Sequence, residues 1–568
     1  MANSLAQSRT ITTQFRLAYS GLDFKDNQKL KALAEVLEGT SRDLAQSKQI
    51  REYVGADPRL WPDLRKLWLS LARTQLTFWD NDDSDEEDEW RENQNDDLRS
   101  VCTGLAKFTR NLVAGVPQNQ SRAFENEPEI RRLLHFYTSW SEMENSESFL
   151  TARTLTQALS NLVTSNEKLV EKLWKTYMNL PEDQVVLIRL LTSPDPRTLL
   201  TTLVFTLNCV HGSRKRTHLL TRTTTGIRVC VSLLDCMLRL YEEDEESDGG
   251  KAFNIGYSIF IRLIEEGTVP DLYEKFSMLD EIITPHQTTL LKLVDSYLQS
   301  IQLNATTILK PEVVQTHVAL GPFLAKCFFS LSMYAQNAIR RSLGDSEPNH
   351  PTSSNRISSG QAASLPAELD VMLPKVCEAL VLVAQCTATI SLEAAEQKMC
   401  QDRGDLSVAS VANMKEFFIE ATSSSGQGLV ESLIEVLRML DLFLPRINFG
   451  KPVSSSGLPN SQATSVASSV DSTGFSYLKR DLVRLLGVLC HEVRAVQDRI
   501  RMADGIPVVM NLCVVDERNP YLREHAIFTL HCLLKNNVEN QALVDEVKAP
   551  ATWDENGVLK DLPRVNLG

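Results

Sequence analysis

Apolar residues recur every three to four positions along most of the chain, which is the spacing that lets an α-helix bury one face. Residues 477–489 illustrate the pattern. The apolar stripe there consists of Tyr477, Leu478, Leu482, Leu485, Leu486 and Leu489. The polar positions between them, predicted to face solvent, are Lys479, Arg480, Asp481 and Arg484. Strand-like alternation is scarce, so the pattern predicts an all-α fold.

Similar helix ends recur along the chain. In segments 108–120, 486–497 and 530–541, a predicted helix ends near a leucine, and a glutamine follows eight residues after that leucine. Segments 158–170 and 205–216 have a related pattern. Such self-similarity indicates a chain built from repeats.

The distance between the copies indicates the type of repeat. Gln497 and Gln541 are 44 residues apart, and Asn111, Asn161 and Asn208 align at separations of 50 and 47. Periods of roughly 40–47 residues are typical of armadillo and HEAT arrays. Each unit of such an array has too little core of its own and must stack on its neighbours.

One repeat can be followed completely in the sequence. A first helix is predicted near Val493–Met502, Gly505 and Pro507 mark the start of a second, and a third runs from about Pro520 to Lys535. The expected apolar face of the third helix is Leu522, Ala526, Ile527, Leu530, Leu533 and Leu534. Three helices per unit favour an armadillo repeat over a two-helix HEAT repeat. We therefore expect a right-handed armadillo/HEAT-like α-solenoid of about eight to ten units.

Composition divides the chain into helical blocks and connecting segments. Stretches rich in Ser, Pro and Asn, or in carboxylates, bury too little apolar surface to offset the entropy of ordering. The predicted helical blocks are 1–343, 367–448 and a C-terminal domain at 475–550. The predicted disordered segments are acidic loops at 80–97 and 242–250 and Ser-rich linkers at 344–366 and 449–474. Residues 551–568 are predicted to form a tail.

The formal net charge of −14 is concentrated in the two acidic segments. Asp80 to Asp97 contain eleven carboxylates and a single Arg91, and Glu242 to Asp248 contain six carboxylates and no basic residue. The remainder of the chain is close to neutral. This distribution argues against nucleic-acid binding, which needs a basic face or stripe.

Hydropathy and the distribution of cysteines indicate the cellular compartment in which the protein is expected. The apolar run Leu320 to Ala335 is too short for a membrane-spanning helix and contains Lys326, so no membrane span is predicted. The N-terminus lacks the apolar core of a signal peptide. Eleven cysteines are scattered without close pairs, which is typical of reduced intracellular thiols. We expect a cytoplasmic protein.

Residues 475–547 resemble the C-terminal domain of the ataxin-10 family. The matching elements are Lys479–Arg480, Leu482 to Arg484, Gln497–Asp498, Asp504 to Pro507, Cys513, Asp516, Asn519–Pro520, Glu524, Ala526–Ile527 and Glu539 to Gln541. The chain departs from the family pattern where it has His525 in place of an aromatic residue and Val488 in place of an asparagine. These departures are typical of a divergent, fungal-type member.

The resemblance implies a non-enzymatic cytoplasmic scaffold that binds other proteins. It also implies the roles proposed for the family, in cytokinesis and, in animals, in neuronal outgrowth and survival. The part of the chain before residue 475 resembles the family only in its general architecture, an armadillo-like array.

Motifs of catalysis and of cofactor binding are missing from the sequence. The Gly-Lys pairs at 250–251 and 450–451 lack the glycine spacing and the following Ser or Thr of a phosphate-binding loop. A calcium loop beginning at Asp80 would need Gly where Asp85 stands and Glu where Arg91 stands. Cysteines without Cys-x-x-Cys spacing are interpreted as buried small hydrophobes. We predict no enzyme activity, no cofactor and no metal site.

Two sets of residues are candidates for partner binding. Asn111, Asn161 and Asn208 stand where third-helix asparagines of armadillo proteins bind extended peptides, although the usual tryptophans four residues earlier are replaced by Lys107, Gln157 and Val204. The alternative is that these asparagines are polar helix-face residues without a ligand. If they bind peptides, the protein is a peptide-cargo adaptor.

Basic residues near the start of the C-terminal domain form the second set. Lys479, Arg480 and Arg484 are interpreted either as a solvated helix face or as a docking site for an acidic partner. The second possibility includes self-association with the chain's own acidic segments. Ser84, inside the first acidic segment, is a candidate phosphorylation site for an acid-directed kinase.

Overall fold

A computed structural model of the protein divides into two compact units, Met1–Lys275 (unit 1) and Phe276–Gly568 (unit 2). The division falls inside the predicted block 1–343. The structure describes residues 2–78, 88–304, 310–343, 370–402, 413–444, 446–448, 451–453, 475–546, 551–553 and 559–561. The predicted linker 344–366, most of the linker 449–474 and Ser84 lie outside these residues.

Unit 1 is built from α-helices and two short 3₁₀ turns at Phe124–Asn126 and Glu182–Gln184. The helices are α1 Ala2–Ser20, α2 Asn27–Gln46, α3 Lys48–Ala56, α4 Leu60–Leu76, α5 Asp88–Val113, α6 Pro117–Ala123, α7 Glu127–Tyr137, α8 Trp140–Met143, α9 Ser146–Val163, α10 Glu167–Tyr177, α11 Val186–Leu191, α12 Pro196–Val210, α13 Arg214–Arg222, α14 Thr224–Leu240, α15 Asp248–Glu265 and α16 Val269–Lys275.

Unit 2 is also helical, with two small antiparallel hairpins. Its helices are α17 Pro285–Asn304, α18 Pro311–Leu343, α19 Leu373–Asp402, α20 Met414–Glu420, α21 Leu429–Phe443, α22 Leu478–Cys490, α23 Arg494–Met502, α24 Gly505–Leu512, α25 Leu522–Leu534 and α26 Val538–Glu546. The hairpins pair β1 Arg446–Asn448 with β2 Lys451–Val453, and β3 Ala551–Trp553 with β4 Leu559–Asp561.

Long helices packed side by side form the backbone of each unit. In unit 1, α2, α5, α9, α12 and α15 follow one another in such a row, and in unit 2 the row is α17, α19, α22 and α25. Their facing sides are apolar and fully buried, as Leu105, Leu159 and Leu486 are. Burying a leucine contributes about 1.5–3 kcal/mol, so these rows carry much of the core. The predicted all-α, armadillo-like architecture is confirmed.

The same chain reversal ends six of the long helices. Two residues after the helix end, the backbone has a positive φ, at Gly115, Ser165, Gly212, Gly267, Glu492 and Asn536. A left-handed residue at this position is a common helix C-cap, and only three of the six are glycine. The recurrence of one backbone turn shows that the repeats share a local structure even where their sequences differ.

The C-terminal repeat has the three helices that the sequence predicts, namely α23, α24 and α25. The predicted third helix was two residues too long at its start. Ile527 was wrongly placed on the apolar face, since it is half exposed. The parsing of the remaining boundaries is confirmed to within one or two residues.

Part of each predicted acidic loop belongs to a helix instead. Residues 80–87 lie outside the described residues, but Asp88 to Asp97 belong to α5. In the second segment, Ser247 accepts a hydrogen bond from the backbone N–H of Gly250 at 2.9 Å, and Asp248 begins α15. A serine N-cap followed by an acidic first turn is a stable helix start. Asp248 therefore serves as an acidic residue in the first turn of α15.

Two helices are long and apolar enough to cross a membrane by length and composition, Pro311–Leu343 and the Leu373–Glu396 part of α19. Buried residues make up 56% and 78% of their most apolar windows. Both helices pack against each other in unit 2. The absence of a membrane span stays a prediction.

Candidate functional site

The three predicted asparagines lie on the long helices of unit 1, at equivalent positions. Asn111 donates to the backbone carbonyl and to the hydroxyl of Ser41, each at 2.9 Å. Asn161 donates to the carbonyl of Arg110 at 3.1 Å, and Asn208 donates to the Ser160 hydroxyl at 3.4 Å. Each amide nitrogen thus bonds the preceding long helix in the row.

The acceptor side of Asn111 is also used within the protein. Arg110 donates its Nε–H to Asn111 Oδ1 at 3.0 Å, and the same guanidinium bonds Gln157 on α9. An asparagine has one carbonyl oxygen and two N–H groups to offer a peptide backbone. These amides join neighbouring helices, so the first set of candidates does not form a row of open peptide ligands.

The recurring glutamines have a matching structural role in both units. Gln120 donates its Nε2–H to the carbonyls of Asn161 and Thr164, both at 2.9 Å, and accepts from Asn166 at 3.1 Å. Both carbonyls belong to the end of α9. The side chain of Gln120 is fully buried, so it ties α6 to the next long helix.

Gln497 repeats two of these three contacts in unit 2. It donates to the carbonyl of Cys532 at 2.8 Å and accepts from Asn537 at 3.1 Å. Cys532 is the position that aligns with Asn161, and Asn537 aligns with Asn166. The sequence pattern of a helix end followed by glutamine therefore marks an inter-repeat hydrogen bond, which the spacing alone did not explain.

Lys479 is not a solvent-facing residue as predicted. Its side chain is 1% exposed, and its Nζ donates to the Leu444 carbonyl at 3.0 Å and lies 3.4 Å from Asp441 Oδ1. Burial lowers the pKa of Lys479, while the charges of Asp441 and Asp516 raise it. A buried ammonium enclosed in this way cannot reach a partner protein, so this part of the second candidate set is wrong.

The surroundings of Lys479 connect three parts of unit 2. Asn519 accepts from the backbone N–H of Lys479 at 3.1 Å and donates to Asp516 at 2.9 Å. Asp516 in turn accepts from the backbone N–H of Ile447 at 3.1 Å. The family-matching residues Lys479, Asp516 and Asn519 thus hold the start of α22 against β1 and the loop before α25.

Asp481 was also predicted to face solvent, but it is 2% exposed. Arg480 binds it with two hydrogen bonds, of 3.0 and 2.8 Å, and stacks its guanidinium 4.4 Å from the ring centroid of Tyr477. Gln385 donates to the same carboxylate at 3.0 Å. The charge of Arg480 is therefore balanced by an intramolecular partner.

Arg484 is the member of the set that stays available. It is partly exposed and makes no hydrogen bond or ion pair within 4 Å among the residues that the structure describes. On the neighbouring helix α25, Phe528 is 53% exposed and its ring stacks against His491, with centroids 6.5 Å apart. Sequence reasoning missed Phe528, although its place four residues before Cys532 aligns it with Arg484.

Asp295 on α17 is a further carboxylate near this region that the sequence did not single out. Burial and the charge of Asp481 raise the pKa of Asp295 to about 6, and Arg484 opposes the rise. The folded state therefore binds this proton more tightly than the unfolded chain, whose aspartates have a pKa near 3.9. The contribution of this group to stability is fully present below about pH 3.9 and is lost as the pH rises from there through about 6.

Replacing Asp295 with asparagine should stabilise unit 2 by about 2–3 kcal/mol at pH 7.5 and by only about 1 kcal/mol at pH 4.5, because most of the cost of ionising the buried carboxyl arises above pH 4.5. The measurement is the urea midpoint of wild type and variant at both pH values. Asp280→Asn, at an exposed position of the same unit, is the control. A variant less stable than wild type at pH 7.5 would show that the ionised carboxylate is needed for structure.

The cysteines occupy the core. Nine of the ten described cysteines are buried and Cys513 is half-buried. Burial raises the pKa of thiols such as Cys102 and Cys230 above the usual range. Their interpretation as small buried hydrophobes is consistent with this placement. Among the described residues, no group of three or more His, Cys, Asp or Glu side chains is arranged to hold a metal ion.

Comparison with known proteins locates the similarity at the C-terminal repeats. Residues 478–566 match the family model described as the spinocerebellar ataxia type 10 protein domain. The ataxin-10 homolog of Dictyostelium discoideum is 40% identical over 84 residues, which cover 15% of this chain and 14% of that protein. The homolog of Candida glabrata is 26% identical over 186 residues, covering 30% and 32%. Human ataxin-10 is 30% identical over 129 residues, covering 22% and 25%.

These matches span less than a third of each relative's length. Among solved structures, SYS-1 aligns over 95% of this chain and 94% of its own, with 12% identity and a TM-score of 0.32. An engineered protein aligns with the same identity and TM-score over 93% and 98%. The fold therefore rests on the helices of this chain itself. The matched segment begins at α22 and contains Lys479, Asp516 and Asn519, the residues that order the start of the C-terminal repeat, so the similarity to the ataxin-10 family is located in this domain.

Proposed function

We propose that the chain is a non-enzymatic protein-interaction scaffold of the cytoplasm that takes part in the control of cytokinesis. The observation that carries the proposal is the exposed face of α22 and α25 inside the family-matching domain, where Arg484 forms no ion pair within 4 Å among the described residues and Phe528 is half exposed. Stacked repeats present a rigid surface, and affinity for a protein partner comes from a few such residues. The cytokinesis role is an expectation of family resemblance.

A peptide-cargo adaptor that uses Asn111, Asn161 and Asn208 is the less favoured alternative. Their amide nitrogens bond the neighbouring helix, so a peptide would have to displace these bonds. Self-association and phosphorylation of Ser84 stay proposals as well. Light scattering over a range of concentrations tests the first, and mass spectrometry of the native protein tests the second.

The scaffold role is tested by conditional depletion in dividing cells that also express a resistant full-length copy fused to a proximity-labelling enzyme. We expect depletion to lengthen the interval from chromosome separation to daughter-cell separation, and the resistant copy to restore it. We also expect labelled proteins to include components of the division site. Unchanged timing after depletion, together with a labelled set identical to that of an unrelated cytoplasmic control, would contradict the proposal.

A further inference from the structure

The exposed face shared by α22 and α25 repeats one arrangement of side chains twice. Tyr477 and Tyr521 precede the two helices, and both have a left-handed backbone, with φ of 64° and 65°. This conformation is uncommon for a bulky residue and strained backbone is concentrated at binding sites. Tyr477 is 44% exposed and Tyr521 is 70% exposed. Together with Arg484, His491, His525 and Phe528 they form what we call the Arg484 surface.

The charged groups of the Arg484 surface and its neighbours differ in how directly they are paired. The carboxylate nearest in sequence, Asp481, is already bound by Arg480 and Gln385. On α25, the exposed neighbours Arg523 and Glu524 carry opposite charges. Arg484 forms no ion pair within 4 Å among the described residues, and Asp295, the carboxylate on which its charge acts, is only 8% exposed. A partly buried guanidinium binds a carboxylate more strongly than one in open solvent, because less water competes with the charge-assisted hydrogen bonds.

Aromatic side chains lie on, or directly before, α22, which carries Arg484, and its neighbour α25. The Arg480 guanidinium covers the Tyr477 ring, and Phe528 stacks on His491 at an interplanar angle of 13°. Burial lowers the pKa of the His525 ring, and the nearby charges of Arg484 and Arg480 lower it further. In its neutral form, the His525 imidazole adds a flat ring to the Arg484 surface. Aromatic and arginine side chains next to each other are the composition typical of binding hot spots.

Unit 1 shows what the same positions look like when the protein satisfies them itself. Lys107, which aligns with Arg484, lies 2.9 Å from Glu38. Gln157 is bonded by Arg110. Polar groups at these positions in unit 1 are thus used between neighbouring helices, whereas Arg484 is not. Arg484 therefore keeps its hydrogen-bond donors available for a ligand.

We propose that the Arg484 surface binds a short segment of a partner protein that carries a carboxylate for Arg484 and an aromatic side chain for Phe528 and the two tyrosines. The inference rests on the proposed scaffold function and names the surface and partner chemistry that it uses. Charge complementarity selects an acidic segment, and the exposed rings select an aromatic residue next to the acid.

The test uses the full chain and two labelled synthetic peptides, one with glutamates around a tryptophan and one in which glutamines replace the glutamates. Fluorescence anisotropy measures affinity. We expect the acidic peptide to bind at least about tenfold more tightly than the neutral one. Arg484→Gln and Phe528→Ala should each weaken the acidic peptide by about tenfold or more, since a charged hydrogen bond and a buried aromatic contact are lost.

Arg523→Gln removes a positive charge at an exposed position of α25 outside the surface and is the matched control, with less than about a twofold effect. Equal binding of both peptides, or an Arg484→Gln variant that binds like wild type, overturns the proposal. Wild-type chain that associates with itself while Arg484→Gln does not would also overturn it, since a second copy would then occupy the surface. If labelled division-site partners persist while the peptide fails to bind, the scaffold function stands and the assignment of this surface falls.

Discussion

Lys479→Met should lower the free energy of unfolding of unit 2 by about 3–5 kcal/mol, although methionine fills nearly the same space. The ammonium lies between Asp441 and the Leu444 carbonyl and is 1% exposed. Removing it takes away the buried cation whose charge acts on Asp441 and Asp516, and breaking a buried ion pair by removing one partner is among the most destabilising changes in proteins.

Hydrogen–deuterium exchange measured by mass spectrometry reports this loss locally. Amides of α21, α22 and α25 should exchange faster in the variant, while amides of unit 1 keep the wild-type rate. Lys535→Met is the control, because Lys535 pairs with Glu492 at 3.0 Å but both side chains are about half exposed. Such a surface pair contributes about 0–1 kcal/mol. A Lys479→Met variant that matches this control would show that Lys479 is not needed to neutralise the two carboxylates.

The contrast between Lys479 and Arg484 shows where sequence periodicity stops being informative. Both residues stand at polar positions of the α22 pattern, which predicts a solvent-facing side for each. Neighbouring elements enclose the first turn of the helix, since the loop at Asn519 and the end of α21 pack against it. Tertiary packing of this kind depends on residues about 40 positions away in sequence, so a local pattern cannot distinguish a buried ion pair from an exposed one.

Repeat spacing, in contrast, predicted the fold well. The leucine-to-glutamine distance places Gln120 and Gln497 beside the end of the next long helix, and both donate to the equivalent carbonyl there. The asparagines were placed correctly on the long helices, but their partners were not foreseen. A peptide and a neighbouring helix offer the same carbonyl groups to an amide, so sequence alone could not tell which of them the asparagine binds.

At the ends of three long helices, a side chain seven residues further along donates a hydrogen bond to a carbonyl near the helix end. Asparagine has this role at two of the ends, and Arg216 has it at the third. Asn119 donates to the Leu112 carbonyl at 2.9 Å and Asn540 donates to the Leu533 carbonyl at 2.8 Å. Arg216 bonds the equivalent carbonyl of Cys209 and also donates to His211 at 2.9 Å. A cation at a helix C-terminus also compensates the negative end of the helix dipole.

Arg216→Met should therefore destabilise unit 1 by about 2–4 kcal/mol, because it leaves the last carbonyls of α12 buried without donors. Arg216 is 2% exposed, and its own carbonyl accepts the indole N–H of Trp174 at 3.0 Å. Urea unfolding followed by tryptophan fluorescence measures the change. Arg216→Asn, which supplies the amide found at the two equivalent positions, should lose less than Arg216→Met.

Lys215→Met is the matched control in the same helix, since Lys215 forms an exposed ion pair with Glu171 and should change stability by no more than about 1 kcal/mol. If Arg216→Asn were as unstable as Arg216→Met, the long aliphatic stem of the arginine rather than its bonds to the helix end would account for the loss. Partial recovery by asparagine would instead show that one carbonyl-capping interaction is used at equivalent positions of both units, by an amide at Asn119 and Asn540 and by a guanidinium at Arg216.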